Sequence, residues 1–485
     1  SIVFLITAVI LSASVVSASD VQTAFDDFCS NLFIEVVGDD PERISVLGNL
    51  ESFGIKSRNS ELSDVSVAAS KQRYDMYRKN LAALLAFDIS GLSPVQQASA
   101  ATLRWYLEDK LQSEEFDNHW YLADPLYGIH IDYTQFMTYY HPVTDRISAE
   151  NYIARLKLCG KRFDQVIELM KIQEEQGILM PQFAVTKSID QITSFLNQGT
   201  TSNDLYKNLS KRLDEVPGIS GKEKRELLSA AKDAISDVVQ PAYKRLRAYL
   251  TDLKKRARKT DGVWDLPNGD AYYQCLLNHY TSTDLAPIEI HQIGLAEVAR
   301  IQAEMMPVFR ELGFTASTVG ENYVLLRKNG IKDKVYWTPK EILDGYRALV
   351  QEIEGWLPQL FSVLPKAPVD IVAQPAYSSG PNLYSSGSLD GTRPAFFGVN
   401  VTNGQYLGSM RLLACHETLP GHHLQQALQK EQTGLPTIQR SYLIGCTAFT
   451  EGWALYAERL ANEYGYFKTP QDKFFYLESE YYRAM

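Results

Sequence analysis

Between two histidines, His416 and His422, the chain reads Glu417-Thr418-Leu419-Pro420-Gly421, and that Pro-Gly pair rules out one continuous helix. Upstream, Arg411 to Leu419 holds no breaker, and Met410, Leu412, Leu413 and Leu419 supply apolar anchoring, so a helix is expected there. Each helical residue turns by ~100° and rises ~1.5 Å, so a partner four positions on lies one turn away on the same face. His422, six positions after His416, would point to the far side of a regular helix. His423, seven positions on, would face correctly but lie ~10.5 Å along the axis, too far for two ligand bonds of ~2.0–2.1 Å to one ion. Two imidazoles can share a metal here only if the helix breaks at Leu419–Gly421. Pro removes a backbone donor and Gly accepts unusual dihedrals, so the sequence predicts that break.

The chemistry that would use it is hydrolytic. Imidazoles hold a divalent ion, and a carboxylate beside the first of them, Glu417, can take a proton from water. His416 and His422 are the expected ligands, with His423 as the alternative. A third ligand is needed. Thr450-Glu451-Gly452-Trp453-Ala454-Leu455-Tyr456-Ala457-Glu458 offers two carboxylates seven apart, nearly on one helical face but two turns distant. Glu451 is the expected ligand, because it opens the apolar segment and leaves room for one helix and a loop around Thr433–Pro436. Glu458 is then free to orient a histidine N–H. Two imidazoles and one carboxylate favour zinc, although other divalent metals suit the same set. His119, His130, His141, His279 and His291 are scattered and read as structural.

Helical periodicity dominates elsewhere. Ser93-Pro94, Ser148-Ala149-Glu150, Pro287 and Thr338-Pro339-Lys340-Glu341 each read as a helix start, and a long charged helical stretch is expected from about Glu223 to Lys259. Thr200 to Gly221 reads as a polar surface connection. Strand patterns are sparse: Val369–Val372, and the run from Ala395 to Val401. The fold expected is mainly α, with a small β-sheet beside the helix of His416. An N-terminal helical region is expected over 19–260 and a catalytic region over 261–485. Residues 1–18 carry no charge, run apolar from Ile2 to Leu11 and end in small residues, which reads as a secretory signal peptide and an extracellular or lumenal location. The five cysteines are widely spaced without a CxxC pair, which leaves room for one or two disulfides and an odd thiol but not for a cysteine-based metal site. A net charge of −10 disfavours nucleic acid and anionic membrane as partners.

These motifs together resemble domain-of-unknown-function family 885, a set regarded as metal-dependent peptidases. His416-Glu417 through Pro420-Gly421-His422-His423-Leu424-Gln425 is similar to the family's central motif, and Glu451-Gly452-Trp453-Ala454-Leu455-Tyr456-Ala457-Glu458 to its second. Asp390-Gly391-Thr392-Arg393-Pro394 with Phe396–Asn400 looks like its preceding strand, and Gly269–Tyr273 with Glu289–Gly294 like an upstream landmark. The resemblance implies a large helical zincin-like arrangement, broadly similar to carboxypeptidase Taq and angiotensin-converting enzyme. It also implies further helices beyond the point that aligns with Met485.

The function expected is that of a secreted zinc peptidase cutting short peptides with Glu417 as the base. In this reading the strand containing Phe397 and Asn400 pairs with the peptide along an open edge, Arg393 meets a substrate carboxylate, and Tyr384 donates to the oxyanion. A non-catalytic binding relative, and a hydrolase of non-peptide amides or esters, are the alternatives.

Overall fold

The computed structural model describes residues 18–374 and 382–485; the apolar leader read from the sequence lies, up to residue 17, outside them. The first half is built from α1 (Ala18–Gly38), α2 (Pro41–Leu47), α3 (Val67–Leu85), α4 (Pro94–Gln112), α5 (Ile129–Gln135), α6 (Arg146–Glu175), α7 (Gln182–Asn197), α8 (Asp204–Glu215), α9 (Gly221–Ala234) and α10 (Gln240–Leu253). The second adds α11 (Gly269–Thr281), α12 (Pro287–Glu311), α13 (Val319–Asn329), β1 (Val335–Tyr336), α14 (Pro339–Trp356), β2 (Val369–Ala373), β3 (Leu383–Ser385), β4 (Ala395–Val399) and β5 (Gln405–Tyr406). It closes with α15 (Leu407–Glu417), α16 (His422–Glu431), α17 (Thr437–Arg440), α18 (Thr447–Glu463) and α19 (Pro470–Ala484). The protein is mainly helical with a small sheet, and β5 runs directly into α15.

Local chemistry explains the helix starts. Ser93 and Thr338 each accept a backbone N–H three residues on, and Gln96 and Glu341 return the bond. α6 begins earlier than Ser148. Asp145 is its cap, accepting from the Ser148 N–H at 2.7 Å while Ser148 Oγ accepts from the Asp145 N–H at 2.9 Å. The expected connection at 200–221 is instead crossed by α8. Its Leu205, Leu209 and Leu213 are spaced by four, so one face is apolar and buried despite a polar average.

β4 is the middle strand of a three-stranded sheet, parallel to β2 and antiparallel to β3. Both its edges are therefore occupied, and the expected pairing of this strand with a substrate does not occur; the outer strands of the sheet are β2 and β3. Phe397, expected to touch substrate, is fully buried and meets Tyr346 edge-on at 5.0 Å.

Three main apolar cores form among the described residues. One spans α1 to α4 and takes in Ile438 and Ile444 from the far end of the chain. A second fills the stack from Ala123 to Leu253. The third packs α12, α14, α15 and α19 around β4. All five cysteines are free thiols, so the disulfides allowed by the sequence are not formed.

A buried arginine joins the first two cores. Arg155 on α6 donates to Glu61 O (2.8 Å), Pro41 O (3.0 Å), Ser45 Oγ (2.8 Å) and His141 Nδ1 (2.8 Å). Its guanidinium lies over Phe136, 4.8 Å from the ring centre. Removing it would orphan several buried acceptors, each at a cost of ~1–3 kcal/mol. Arg155→Met should therefore lower unfolding free energy by about 3 kcal/mol or more in urea titration; a loss under about 1 kcal/mol would refute the assignment.

His141 makes this region acid-sensitive. Burial first, and the Arg155 charge second, hold its pKa down to about 3. The unfolded chain, with a histidine pKa of ~6.5, binds this proton more readily. The contribution is thus complete above pH ~6.5 and is lost as pH falls toward 3, with a slope of at most ~1.4 kcal/mol per pH unit. His141→Asn should flatten stability against pH in that window; an unchanged slope would show that other groups set it.

Candidate metal centre

α15 ends at Glu417, and Thr418 leaves the helical region with φ −113° and ψ −103°. The Leu419–Pro420 peptide is cis. α16 restarts at His422 on a new axis, so the break lies where the spacing of the histidines requires it. Its polar groups are satisfied. Thr418 Oγ1 donates to Ala414 O at 2.6 Å, the His423 N–H donates to Thr418 O at 3.0 Å, and Trp453 Nε1–H on α18 donates to Pro420 O at 2.9 Å.

The break brings the two imidazoles face to edge, ring centres 4.8 Å apart. Glu451, in the second turn of α18, reaches both: Oε2 is 3.5 Å from His416 Nε2 and Oε1 is 3.6 Å from His422 Nε2. One ligand atom from each of His416, His422 and Glu451 lies within 4.8 Å of the other two. A tetrahedral ion with bonds of ~2.0–2.1 Å sets its ligand atoms ~3.3 Å apart, so the three fit one cation after small side-chain shifts. Among the described residues no other such group of His, Cys, Asp or Glu forms.

The electrostatics agree with that fit. Burial opposes charge on His416, but hydrogen bonds to Glu451 and Glu458 outweigh it and raise its pKa. Burial and the nearby His416 charge push His422 the other way. The opposite shifts favour positive charge on His416, beside a carboxylate, and oppose it on His422. Glu458, 1% exposed, accepts from His416 Nδ1–H at 2.7 Å and from Arg483 at 3.1 Å. Since Glu458 engages Nδ1–H, Nε2 is the nitrogen that faces Glu451, and it offers a lone pair once the ring gives up its second proton. His422 Nδ1 is buried without a partner among the described residues.

Glu417 is buried beside this cluster. Burial, with the charge of Glu451, raises its pKa to about 7 against the opposing pull of His416 and a backbone hydrogen bond from Tyr384. Tyr384 on β3 stacks on His422, 6.1 Å between centres, and its hydroxyl donates to His423 Nδ1 at 3.1 Å. His423 donates from Nε2 to Ala367 O at 2.9 Å, so both its nitrogens are engaged and it does not serve as the alternative ligand. Arg393 donates to Ser386 O and Val46 O and lies over Tyr140 on the wall of a large cavity. Asn400 closes a local turn, its Oδ1 accepting from the Thr402 N–H at 3.1 Å.

Sequence reasoning missed Arg483, Trp453 as a clamp on the break, and Lys430. For Lys430 a signal was present: His422, Gln426 and Lys430 are spaced by four and share one face of α16.

Glu458→Ala should weaken zinc binding ~10–100-fold in chelator competition, because His416 loses the partner that fixes its ring. Unchanged affinity would remove Glu458 from the centre.

A solved structure of a "putative lipoprotein" from Colwellia psychrerythraea superposes with a TM-score of 0.86 at 24% identity, covering 97% of this chain and 82% of that one. A second, of a "putative lipoprotein of unknown function" from Shewanella oneidensis, gives a TM-score of 0.59 at 17% identity, over 96% and 81% of the two chains. At these identities the likeness shows a shared fold. No curated protein matches the sequence. The model of the bacterial proteins of unknown function DUF885 matches residues 43–485, and the chain belongs to that family.

Proposed function

We propose that this protein is a zinc-dependent peptidase acting on short peptides. The observation that carries the reading is the convergence of His416, His422 and Glu451 at a helix break with the buried Glu417 alongside. In this reading His416 Nε2, His422 Nε2 and a Glu451 oxygen hold the ion. When bound, zinc supplies the Lewis acidity that makes water a nucleophile near neutral pH and polarises a carbonyl.

The remaining work falls to the chain's own side chains. Glu417 takes a proton from the attacking water and passes it to the leaving nitrogen as the C–N bond breaks. Its raised pKa in the metal-free cluster reflects burial, and a dication beside it would bring that value down. Glu458 and Arg483 keep His416 in one orientation. The Tyr384 ring packs on His422 and holds that imidazole toward Glu451; its hydroxyl, which donates to His423, would have to leave that bond to reach an oxyanion. A cavity of about 1280 Å³ between the first-half helices and the β3–α16 wall offers room for a peptide of a few residues.

Export belongs to the same reading and is supported by the uncharged apolar run in residues 1–18. Among the described residues no helix is long and apolar enough to cross a membrane.

Glu417→Gln decides the point. Elemental analysis should show the same metal content as wild type, while hydrolysis of a fluorogenic peptide panel should fall ~10²–10⁴-fold. Cleavage at the wild-type rate would sink the assignment of the base, and a wild-type protein that takes up no zinc would sink the reading altogether.

A further inference from the structure

The large cavity, whose wall takes in Tyr384 and Gln426 but none of the three candidate ligands, is lined, apart from the exposed Arg73, by cations of two kinds. Arg43, Arg58, Lys110 and Arg162 each have a carboxylate within reach: Asp40 at 3.5 Å, Glu61 at 2.7 Å, Asp109 at 3.9 Å and Glu42 at 3.3 Å. Arg393 and Lys430 are just as sheltered, yet among the described residues neither has a carboxylate oxygen within 4.0 Å. The segments outside the described residues contain no Asp or Glu to supply one. Asp390 is near enough for both to feel its charge, but its oxygens accept from Ser388 Oγ, the Thr392 N–H and the Asn49 N–H.

Both cations are held in place by neutral groups. Lys430 Nζ donates to Ser386 Oγ at 2.7 Å and to Gly387 O. Arg393 donates to Ser386 O at 3.0 Å and Val46 O at 3.2 Å, and its Nε is buried with no acceptor. Such bonds orient a cation but do not neutralise it. The strain shows on the lysine: burial, then the Arg393 charge, push its pKa down to about 8. An anion entering between the two would relieve both.

The position of the pair ties it to the candidate centre. Tyr384, which stacks on His422, heads the 384–387 stretch of cavity wall that Lys430 and Arg393 grip. His422, Gln426 and Lys430 form one row on α16, and the last two line the cavity. Lys430 starts ~12 Å along the helix from His422. An extended peptide advances ~3.3–3.6 Å per residue, so the charged pair lies roughly three to four residues from a bond poised at the proposed metal position.

We propose that Arg393 and Lys430 form a subsite for a substrate-peptide carboxylate, supplied by the peptide's C-terminus or by an acidic side chain, roughly three to four residues beyond the scissile bond. This rests on the peptidase reading above and narrows its substrates to peptides carrying an anion on that side.

The test measures binding, so that it stands apart from turnover. A fluorescent pentapeptide is titrated by anisotropy against zinc-loaded Glu417→Gln protein in three forms: free acid, C-terminal amide, and an amide ending in Glu. The free acid should bind at least tenfold tighter than the plain amide. Adding Lys430→Gln should reduce that ratio to near one, while Lys430→Arg should keep it. If the amide ending in Glu binds like the free acid, the subsite takes a side chain; if it binds like the plain amide, the subsite takes the terminus. Equal binding of all three forms, or a ratio that survives Lys430→Gln, overturns the proposal. Wild-type cleavage of the free acid is assayed separately: an intact acid preference without cleavage would discard the catalytic reading and leave the subsite standing.

Discussion

The candidate centre depends on one close backbone contact. A Cβ placed on Gly421 would lie 1.9 Å from the His416 carbonyl oxygen and 2.4 Å from that of Cys415, so only a hydrogen fits there. That approach lets the chain turn back on the end of α15 instead of running on from it. It converts a six-residue separation, which a helix would place on opposite faces, into two facing rings. The Trp453 bond to Pro420 O then pins α18 against the same turn, and α18 carries both Glu451 and Glu458. One steric fact therefore sets the distance between the imidazoles and the approach of both carboxylates.

The charges in this cluster form a chain from Arg483 to Glu458, His416, Glu451 and His422. Burying such groups is costly unless each meets its complement. Arg483 and His416 together satisfy Glu458, the most buried carboxylate of the set. At the other end the accounts are less complete: Glu451 faces one ring whose charge is favoured and one whose charge is opposed, and the outer nitrogen of His422 has no partner among the described residues. In the proposed reading a divalent ion would put a stronger positive charge at the same spot. The imbalance is concentrated where a cation would sit, which is the pattern of a binding site more than of a structural ion pair.

Much of this arrangement was legible because it is local. The Pro-Gly break, the His-Glu pair and the cap boxes at Ser93 and Thr338 each operate within a few residues. What escaped was longer in range or diluted. α8 hid its three buried leucines in a segment whose average is polar, so composition outvoted spacing. The start of α6 was placed at Ser148 because serine is a good cap, but Asp145 competes better for the same N–H groups. The run from Ala395 to Val399 reads as a strand from its own residues, yet its pairing is set by segments elsewhere in the chain: Val369 of β2 pairs with Ala395 on one side, and Leu383 of β3 with Gly398 on the other. Edge or centre is a property of the sheet and cannot be read from one strand, and the misplacement of Phe397 follows from it. Arg483 carries no motif at all; only the packing of α19 on α15 and α18 gives it a partner.

Glu451 and Glu458 show how one helix face separates two tasks. They are the same residue type, two turns apart, both turned toward His416. Glu458 is 1% exposed and lies against an arginine, while the Glu451 side chain is 53% exposed and, among the described residues, has only the two histidines within 4.0 Å as cationic partners. A carboxylate that fixes a tautomer gains from being walled off, because a low dielectric strengthens its bond to the ring and excludes competing water. A carboxylate that shares an ion with substrate must stay open on one side, since a hydrolytic site needs a position for water and the scissile carbonyl. The difference in exposure, arising within seven residues of one helix, is what the proposed reading needs: an inner carboxylate for support and an outer one for the ion.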